Sequence, residues 1–443
     1  MKRCYLQMMM AGMIFFTITT VSYAQKAVVA TAAADFSSGA HSVIDVKTGA
    51  ARNNLLPTAT SDITIAAYQD YFYRIERYQK DNITKFHINA PETPIWQFST
   101  NDAGEQGSSN PYAQIFLNSK LAVLLRYGKS KAWLVNPSAT TQAEFKIGEL
   151  DLSAYADSDG VPEMVSGVIV KGKVFIVLQR LNQKDGFSAT NTAYIAVFDT
   201  NTALEINTGI ANSDGVKGIP LPIRNPGSIQ YMSHNDTIYV QGAGSYAASW
   251  SGKPAEYTGG IAGVNPNTYE TAMLLDDGDS TNHPYGNISG MAMVSPESVY
   301  FVGYDGWGDN TLYSFKPAAG IVPVAALQHK NIAGMESGTY ADLQGRLWIC
   351  NGTDAEIVVL NIADNSVVTR TSTNLNPLKV VFMCIPGDLD GSGTVDLTDA
   401  IIGLKIVAGI AVSDVSSCAD VNGDGKIGME EVVYILQKVS GLR

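Results

Sequence analysis

The sequence predicts an all-β fold for most of the chain and a small helical segment at its C-terminus. Three observations support this prediction. Between about residues 28 and 381, short runs of alternating apolar and polar residues are separated by Gly, Asn, Asp and Pro, which is typical of half-buried strands joined by tight turns. Glycine is frequent, at 41 of 443 residues, whereas charged residues make up only 16%. After residue 386 the pattern changes to two acidic loops, each followed by apolar residues at helical spacing.

A repeated unit divides the β-rich region into seven parts. In each part, a strand ends in an apolar residue that is followed by a polar residue and a turn. The seven pairs are Ile44-Asp45, Phe86-His87, Val135-Asn136, Phe198-Asp199, Val264-Asn265, Phe315-Lys316 and Leu360-Asn361. Their mean spacing is about 53 residues, enough for four short strands, so the repeat predicts a seven-bladed β-propeller. A pair of β-sandwiches or another β-solenoid is the alternative.

Further strands recur at fixed places in the repeat. A second strand type recurs upstream of these pairs, as in Val174–Val177 and Val299–Val302. Further upstream, a proline stands just before an inner strand, as at Pro111 and Pro226. Proline is tolerated there because the first residue of a strand need not donate a ladder hydrogen bond. The first unit lacks an inner strand, and a spare strand, Val380–Met383, follows the last unit. We therefore expect the last strand to join the first blade and close the ring.

The patterns at the two ends of the sequence divide the chain into three predicted regions. Residues 1–24 have a short basic start, an uncharged apolar stretch and small residues at the end, as in a secretory signal peptide; an uncleaved membrane anchor is the alternative. No later run is long enough to span a membrane, so we expect a secreted or cell-surface protein. The predicted regions are the signal peptide (1–24), the propeller (25–385) and a calcium-binding domain (386–443). The net charge of -12 without a basic cluster argues against a nucleic-acid partner.

Two acidic loops of twelve residues carry the strongest functional signal. The first runs from Asp388 to Asp399 and the second from Asp420 to Glu431, so that they stand 32 residues apart. In the first loop, oxygen-bearing side chains occupy positions 1, 3, 5, 9 and 12, with glycine at position 6, which is the spacing of a calcium loop. The second loop has Gly428 at position 9, where water would have to bind the metal. Each loop leads into one helix, over 397–408 and 430–440, and forms half of an EF-hand.

This duplicated loop-helix arrangement over about 58 residues resembles a type I dockerin. The resemblance implies two calcium ions and docking to a cohesin-bearing protein. It implies that the first ion is bound by Asp388, Asp390, Ser392, Thr394, Asp396 and Asp399, and the second by Asp420, Asn422, Asp424, Lys426 through its carbonyl, and Glu431. Positions 10 and 11 differ between the loops, and Glu431 replaces the usual aspartate. A calcium-stabilised fold without a cohesin partner is the alternative.

The cysteines and the absence of hydrolase motifs limit the chemistry that the sequence predicts. Cys384 and Cys418 each precede one acidic loop, and we expect a disulfide between them because an exported protein matures in an oxidising compartment. There is no Gly-x-Ser-x-Gly, Cys-x-x-Cys-His or His-Glu-x-x-His motif, and the five histidines are scattered. No catalytic residue is therefore assigned from the sequence.

The long loops on one face of the predicted ring combine aromatic and acidic residues. The candidate ligand-binding residues are Trp250, Tyr246, Trp307, Asp305, Asp159 and Glu163. Aromatic planes beside carboxylates suit a sugar ring or a peptide, although Asp is also an ordinary loop residue. The body resembles lactonase-type and quinoprotein-like seven-bladed propellers. We expect a propeller that binds a polysaccharide or a protein, or alternatively an enzyme that degrades glycans or hydrolyses lactones.

Overall fold

The structure is a computed structural model of the chain. It describes residues 26–247, 252–295, 297–316, 320–333, 342, 345–383, 385–390, 395–412, 415, 419, 421 and 426–442. The predicted signal peptide and both cysteines of the predicted disulfide lie outside these residues. No helix in the described ranges is both long and apolar enough to pass through a bilayer.

Seven antiparallel sheets of four strands form the body, and we number them as blades in chain order. The first strands, β1 (Lys26–Ala32), β2 (Gly39–Asp45) and β3 (Ala51–Thr58), belong to blade 1. Blade 2 has β4 (Ile63–Tyr68), β5 (Tyr71–Glu76), β6 (Asn82–His87) and β7 (Ala90–Ser99), and blade 3 has β8 (Pro111–Asn118), β9 (Leu121–Arg126), β10 (Lys131–Val135) and β11 (Lys146–Asp151). Blade 4 has β12 (Met164–Val170), β13 (Lys173–Leu178), β14 (Tyr194–Asp199) and β15 (Ile219–Pro220), and blade 5 has β16 (Pro226–Met232), β17 (Thr237–Gly242), β18 (Gly260–Val264) and β19 (Thr271–Asp276). Blade 6 has β20 (Asn287–Ser295), β21 (Ser298–Gly306), β22 (Asp309–Lys316) and β23 (Gly320–Pro323), and blade 7 has β24 (Ile332–Ala333), β25 (Leu347–Asn351), β26 (Glu356–Leu360) and β27 (Val367–Ser372). The last strand, β28 (Asn376–Phe382), returns to blade 1.

The helices in the described part of the chain are short. The first, α1 (Gln142–Phe145), is a single turn before β11, and 3₁₀ turns lie at Ser153–Tyr155, Gln183–Asp185 and Ala325–Leu327. The two longer helices, α2 (Leu397–Val407) and α3 (Met429–Val439), follow the propeller.

The ring closes through its last strand, as the sequence predicts. Strand β28 pairs with β1, with Val380 opposite Val29 and Val381 opposite Val28. Both Val380 and Val29 are fully buried. The seven-bladed β-propeller is therefore confirmed, and blade 1 combines strands from the two ends of the β-rich region.

The repeated apolar-polar pair stands at the end of the third strand of every blade, and where its polar residue is Asp, Asn or His the side chain closes a turn. The carboxylate Oδ1 of Asp45 accepts a hydrogen bond from the backbone N of Thr48 at 2.8 Å. Asp199 accepts from Thr202 N at 2.8 Å in the same way. An Asp or Asn side chain that captures backbone N–H groups two or three residues ahead fixes a tight turn. The apolar partner, such as Ile44, lies buried in the core.

The strand order assigns each loop to a face of the ring. Because neighbouring strands are antiparallel, the loops between second and third strands lie on the same face as the linkers between blades. We call the face with these loops and linkers the upper face, and the opposite face the lower face. Strand β28 ends on the lower face, so α2 and α3 follow there. On this side, burial and the neighbouring Tyr434 of α3 raise the pKa of Tyr68 on β4, which places that helix next to the propeller.

Candidate functional site

Three carboxylates converge at the start of the C-terminal segment. Asp388, Asp390 and Asp399 each offer an oxygen within 4.8 Å of the others. Asp388 and Asp399 are buried, whereas Asp390 is exposed. Charged groups are rarely buried unless they are paired or bind a metal, and carboxylate oxygens are the ligands that calcium prefers. The donor set therefore fits a calcium ion bound by these three residues.

Backbone hydrogen bonds hold the buried carboxylate of this group in place. Asp399 Oδ1 accepts from the backbone N of Leu389 at 2.8 Å and of Asp390 at 3.1 Å, and its Oδ2 accepts from Asp396 N at 2.8 Å. Asp396 caps α2 by accepting from Thr398 N at 2.6 Å. Burial, opposed by these bonds, raises the pKa of Asp399. One carboxylate at position 12 thus accepts hydrogen bonds from both described ends of the loop.

The described residues of the second loop repeat two of these three hydrogen bonds 32 residues later. Glu431 is buried, and its oxygens accept from Val421 N at 3.3 Å and from Gly428 N at 2.6 Å. These donors correspond to Leu389 and Asp396 in the first loop. The exposed Lys426 is the other predicted ligand of this loop within the described residues. The predicted ligands outside the described residues are Ser392, Thr394, Asp420, Asn422 and Asp424.

The two helices share a repeated apolar surface, which we call the double stripe. Its residues form five pairs, each pair 32 positions apart. The pairs are Leu397 and Met429, Ile401 and Val433, Leu404 and Leu436, Val407 and Val439, and Ile410 and Leu442, with exposed fractions from 39% to 80%. Other apolar residues of the helices, such as Ala400, Val432 and Ile435, are buried between them. Large apolar side chains exposed in rows of this kind are typical of interaction sites in soluble proteins.

On the upper face, Glu163 is a fully buried carboxyl at the entrance to β12. Its side chain is 0% exposed, and its backbone φ of 50° lies in the left-handed region. Gln183 Nε2 donates to Glu163 Oε1 at 2.8 Å. The second oxygen, Oε2, has no hydrogen-bond partner among the described residues.

Two aspartates lie beside Glu163 in the same linker. Asp159 accepts from the backbone N of Val161 at 3.0 Å and of Gln183 at 3.1 Å, while Asp157 accepts from Asn191 Nδ2 at 2.7 Å. Burial, with a contribution from both aspartates, raises the pKa of Glu163 to about 8. Burial also raises the pKa of Asp159. Glu163 is therefore a neutral acid at pH 7 and can donate a hydrogen bond.

The other predicted ligand-binding residues lie over blades 5 and 6. The ring of Tyr246 is 4.5 Å from that of Tyr304. Trp307, at the tip of the β21–β22 hairpin, is 82% exposed and lies 6.1 Å from Phe36, which is 56% exposed. Asp305 on the same hairpin is also exposed. Trp250 lies outside the described residues.

The structure thus places the five predicted residues that it describes in two groups on one face. Asp159 and Glu163 lie between blades 3 and 4, whereas Tyr246, Asp305 and Trp307 lie over blades 5 and 6. Reasoning from the sequence missed Phe36, which comes from blade 1, and Gln183, which binds Glu163. Phe36 and Trp307 are far apart in sequence and on different blades, so only the closed ring brings them together.

Comparisons with known proteins give the fold. No family model and no curated protein matches the chain. The periplasmic gluconolactonase of Pseudomonas aeruginosa is similar in structure, with 12% identity and a TM-score of 0.51, over 82% of this chain and 99% of that one. A Bacteroides fragilis protein described as a candidate 6-phosphogluconolactonase has 11% identity and a TM-score of 0.51 over the same shares. At these identities the likeness shows the propeller fold alone.

Proposed function

We propose that the protein is an exported, calcium-binding adaptor. In this proposal its C-terminal segment is a dockerin-like module that binds two calcium ions and docks to a cohesin-bearing protein, while its propeller binds a polysaccharide or protein ligand. The observation that carries the proposal is the duplicated loop and helix, with the same carboxylate hydrogen bonds and the same exposed apolar positions 32 residues apart.

Calcium binding is supported by the chemistry of the donors. Asp388, Asp390 and Asp399 would hold one ion, with further oxygens from the first loop, and Glu431 would be the matching ligand in the second. A bound divalent cation would offset the repulsion among carboxylates that are brought within 4.8 Å of one another. Calcium would therefore stabilise both loops and fix the starts of α2 and α3.

Docking is supported by the double stripe. Each helix leaves a row of large apolar side chains exposed, and the rows match in register. Tyr434, which lies beside Tyr68 of the propeller, does not belong to the stripe. The stripe is thus available to a protein that presents an apolar surface, and the cohesin module is the partner that the loop-helix resemblance implies.

Surface plasmon resonance with immobilised type I cohesins tests the docking. The protein is expected to bind at least one cohesin in calcium and to lose binding in EGTA. The double variant Ile401→Asp/Val433→Asp should weaken binding at least 10-fold, about 1.4 kcal/mol, because it places charge in both rows. Val322→Asp, at an exposed apolar site on β23 of the propeller, is the matched control. Binding to no cohesin, or equal binding in EGTA, would reject the docking proposal.

An enzymatic propeller is the second candidate, and one observation favours it. Two adjacent carboxyl groups on the upper face, Asp159 and Glu163, have raised pKa values, and perturbed acids cluster at catalytic sites. The gluconolactonase likeness makes lactone hydrolysis the first reaction to assay. Hydrolysis of gluconolactone or release of reducing ends from glycans, lost on Glu163→Gln, would replace the non-catalytic propeller with an enzyme.

A further inference from the structure

Two exposed aromatic rings on the upper face, Phe36 and Trp307, join blades that are not neighbours, and we call them the aromatic pair. Blade 7 stands between blades 6 and 1 and contacts both. Strands β21 and β22 of blade 6 have nine and eight residues, whereas β25 and β26 of blade 7 have five each. The longer hairpin of blade 6 thus carries Trp307 past blade 7 to Phe36, where the ring centroids lie 6.1 Å apart.

The backbone does not explain either ring of the aromatic pair. Trp307 belongs to a two-residue hairpin turn, where asparagine and glycine are the usual residues. Gly306 and Gly308 flank it, and a Cβ atom on either would meet nothing within 4 Å, so the space beside the indole is open. Phe36 has a φ of 59°, in the left-handed region that a bulky side chain rarely adopts. The chain therefore keeps two large apolar side chains in solvent where smaller residues would suit the backbone better.

Three aspartates beside the aromatic pair in the sequence make its surroundings negative. Asp35 directly precedes the phenylalanine, and Asp305 and Asp309 stand two residues before and after the tryptophan. Asp35 and Asp305 are exposed, and the Asp309 side chain is 51% exposed. A cation near the pair is therefore attracted, whereas an anion is repelled.

The basic side chains that follow along this edge are engaged with carboxylates. His329 Nδ1 lies 2.8 Å from Asp309 Oδ1. Lys330 is paired with Asp354 of blade 7 at 2.9 Å. These contacts leave the charge of Asp35 and Asp305 to act on a ligand.

The angle between the two rings selects the shape of the group that binds. Their planes are inclined by 57°, so a flat sugar ring stacks on one of them only. A cation binds over an aromatic face within about 6 Å of the ring centre, and tryptophan is the strongest partner. Because the centroids are 6.1 Å apart, one compact cation can lie within this range of both rings.

The openness of this surface favours a protein over a small ion as the source of the cation. Both rings are exposed, with open space beside the glycines of the hairpin tip, so a small cation bound there would stay mostly in water. A protein covers the rings and removes water from the contact, which strengthens the cation–π attraction. Tryptophan is also enriched among the residues that anchor protein–protein interfaces.

We propose that the aromatic pair binds a lysine or arginine side chain of a protein ligand, with Phe36 and Trp307 contacting the cation and Asp35, Asp305 and Asp309 attracting it. This inference rests on the proposed ligand-binding role of the propeller. It narrows the ligand to a protein that presents a basic segment.

Fluorine NMR of the full chain labelled with 5-fluorotryptophan tests the contact. The chain has five tryptophans, and Trp307→Phe assigns the resonance of residue 307. The probes, at pH 7 and low salt, are octapeptides of alternating Gly and Lys, Gly and acetyl-lysine, and Gly and Glu, with cellohexaose as the neutral glycan. The Gly-Lys peptide should shift the Trp307 resonance with a Kd at least 10-fold lower than that of any other probe. Tighter binding of the acetylated peptide, the acidic peptide or the glycan would overturn the inference.

Variants that keep the tryptophan test the other residues. Phe36→Gly should weaken binding of the Gly-Lys peptide about 5-fold without lowering the Tm, because glycine adopts the left-handed backbone readily. Asp305→Asn/Asp309→Asn should weaken it at least 5-fold and reduce its dependence on salt. Tyr78→Ala, at another exposed aromatic site on the upper face, between β5 and β6, is the matched control and should change the Kd by less than 2-fold.

The outcomes separate the inference from the proposed function. If the Gly-Lys peptide binds but Phe36→Gly and Asp305→Asn/Asp309→Asn leave its Kd unchanged, the assigned site is wrong and the ligand-binding propeller stands. If only cellohexaose shifts the Trp307 resonance, the basic segment is rejected and the ligand is a glycan. If no probe shifts any resonance, both the basic segment and the polysaccharide ligand are rejected, and calcium-dependent docking is unaffected.

Discussion

Replacing Glu163 with glutamine should stabilise the protein at neutral and alkaline pH. The carboxyl is 0% exposed, and burial raises its pKa from 4.5 to about 8. A carboxyl with a raised pKa favours the native state below the pKa of the unfolded chain, and this contribution is lost as the pH rises through the native value. Glutamine has nearly the same shape, can still accept from Gln183, and carries no such penalty.

The size of the effect follows from the two pKa values. Linkage predicts that Glu163 lowers the free energy of unfolding by about 1 kcal/mol at pH 5 and by about 4 kcal/mol at pH 8. The difference, about 3.5 kcal/mol, should be absent in Glu163→Gln. For a domain of about 360 residues this corresponds to a change in Tm of about 5 °C.

Thermal unfolding of both full chains, followed by intrinsic fluorescence between pH 5 and pH 8, measures this difference. The Tm of Glu163→Gln should exceed that of the unaltered chain at pH 8, and the gap should nearly close at pH 5. Other buried acids, such as Asp277, affect both chains equally and cancel. An offset of the same size at both pH values, or a less stable variant at pH 8, would refute the reasoning that Glu163 is a buried neutral acid.

Three further predictions concern the ring, the helices and the cysteines. Val380→Asp, in the closing strand, should lower the free energy of unfolding by more than about 3 kcal/mol because it buries a charge. The control Val368→Asp, exposed on β27, should change the free energy of unfolding by less than about 1 kcal/mol. Equal denaturation midpoints for the two variants would contradict a closed ring. EGTA should increase hydrogen exchange in α2 and α3 and leave exchange in the blades unchanged. Exchange in α2 and α3 that is the same with and without EGTA would argue against metal-dependent loops. Mass spectrometry of a non-reduced digest should find a peptide linking Cys384 to Cys418, and two separate thiols would reject the bridge.

Much of the fold could be predicted from the sequence because each blade repeats the same local physics. Asp or Asn recurs at the end of the third strand because its side chain closes a turn, as Asp45 and Asp199 show. The missing inner strand of blade 1 and the spare strand at Val380 could be matched because each blade of the predicted ring needs four strands. The predicted helices begin and end within one residue of α2 and α3, since acidic loops and terminal glycines bound them.

The upper face was less predictable because it is assembled from distant loops. The sequence indicated that Glu163 and Trp307 belong to long loops on one face, but nothing local separates them into two groups. The contact between Phe36 and Trp307 joins blades 1 and 6, and no sequence pattern links these blades.

The central claim is that the duplicated C-terminal segment binds calcium through both loops, and native mass spectrometry of the full mature chain tests it most directly. The account predicts two calcium ions for each chain, and one for either Asp399→Asn or Glu431→Gln. Asp364→Asn, which alters an exposed propeller carboxylate held by a turn, should retain two. A chain that binds no calcium, or whose calcium content is unchanged in both loop variants, would contradict the claim.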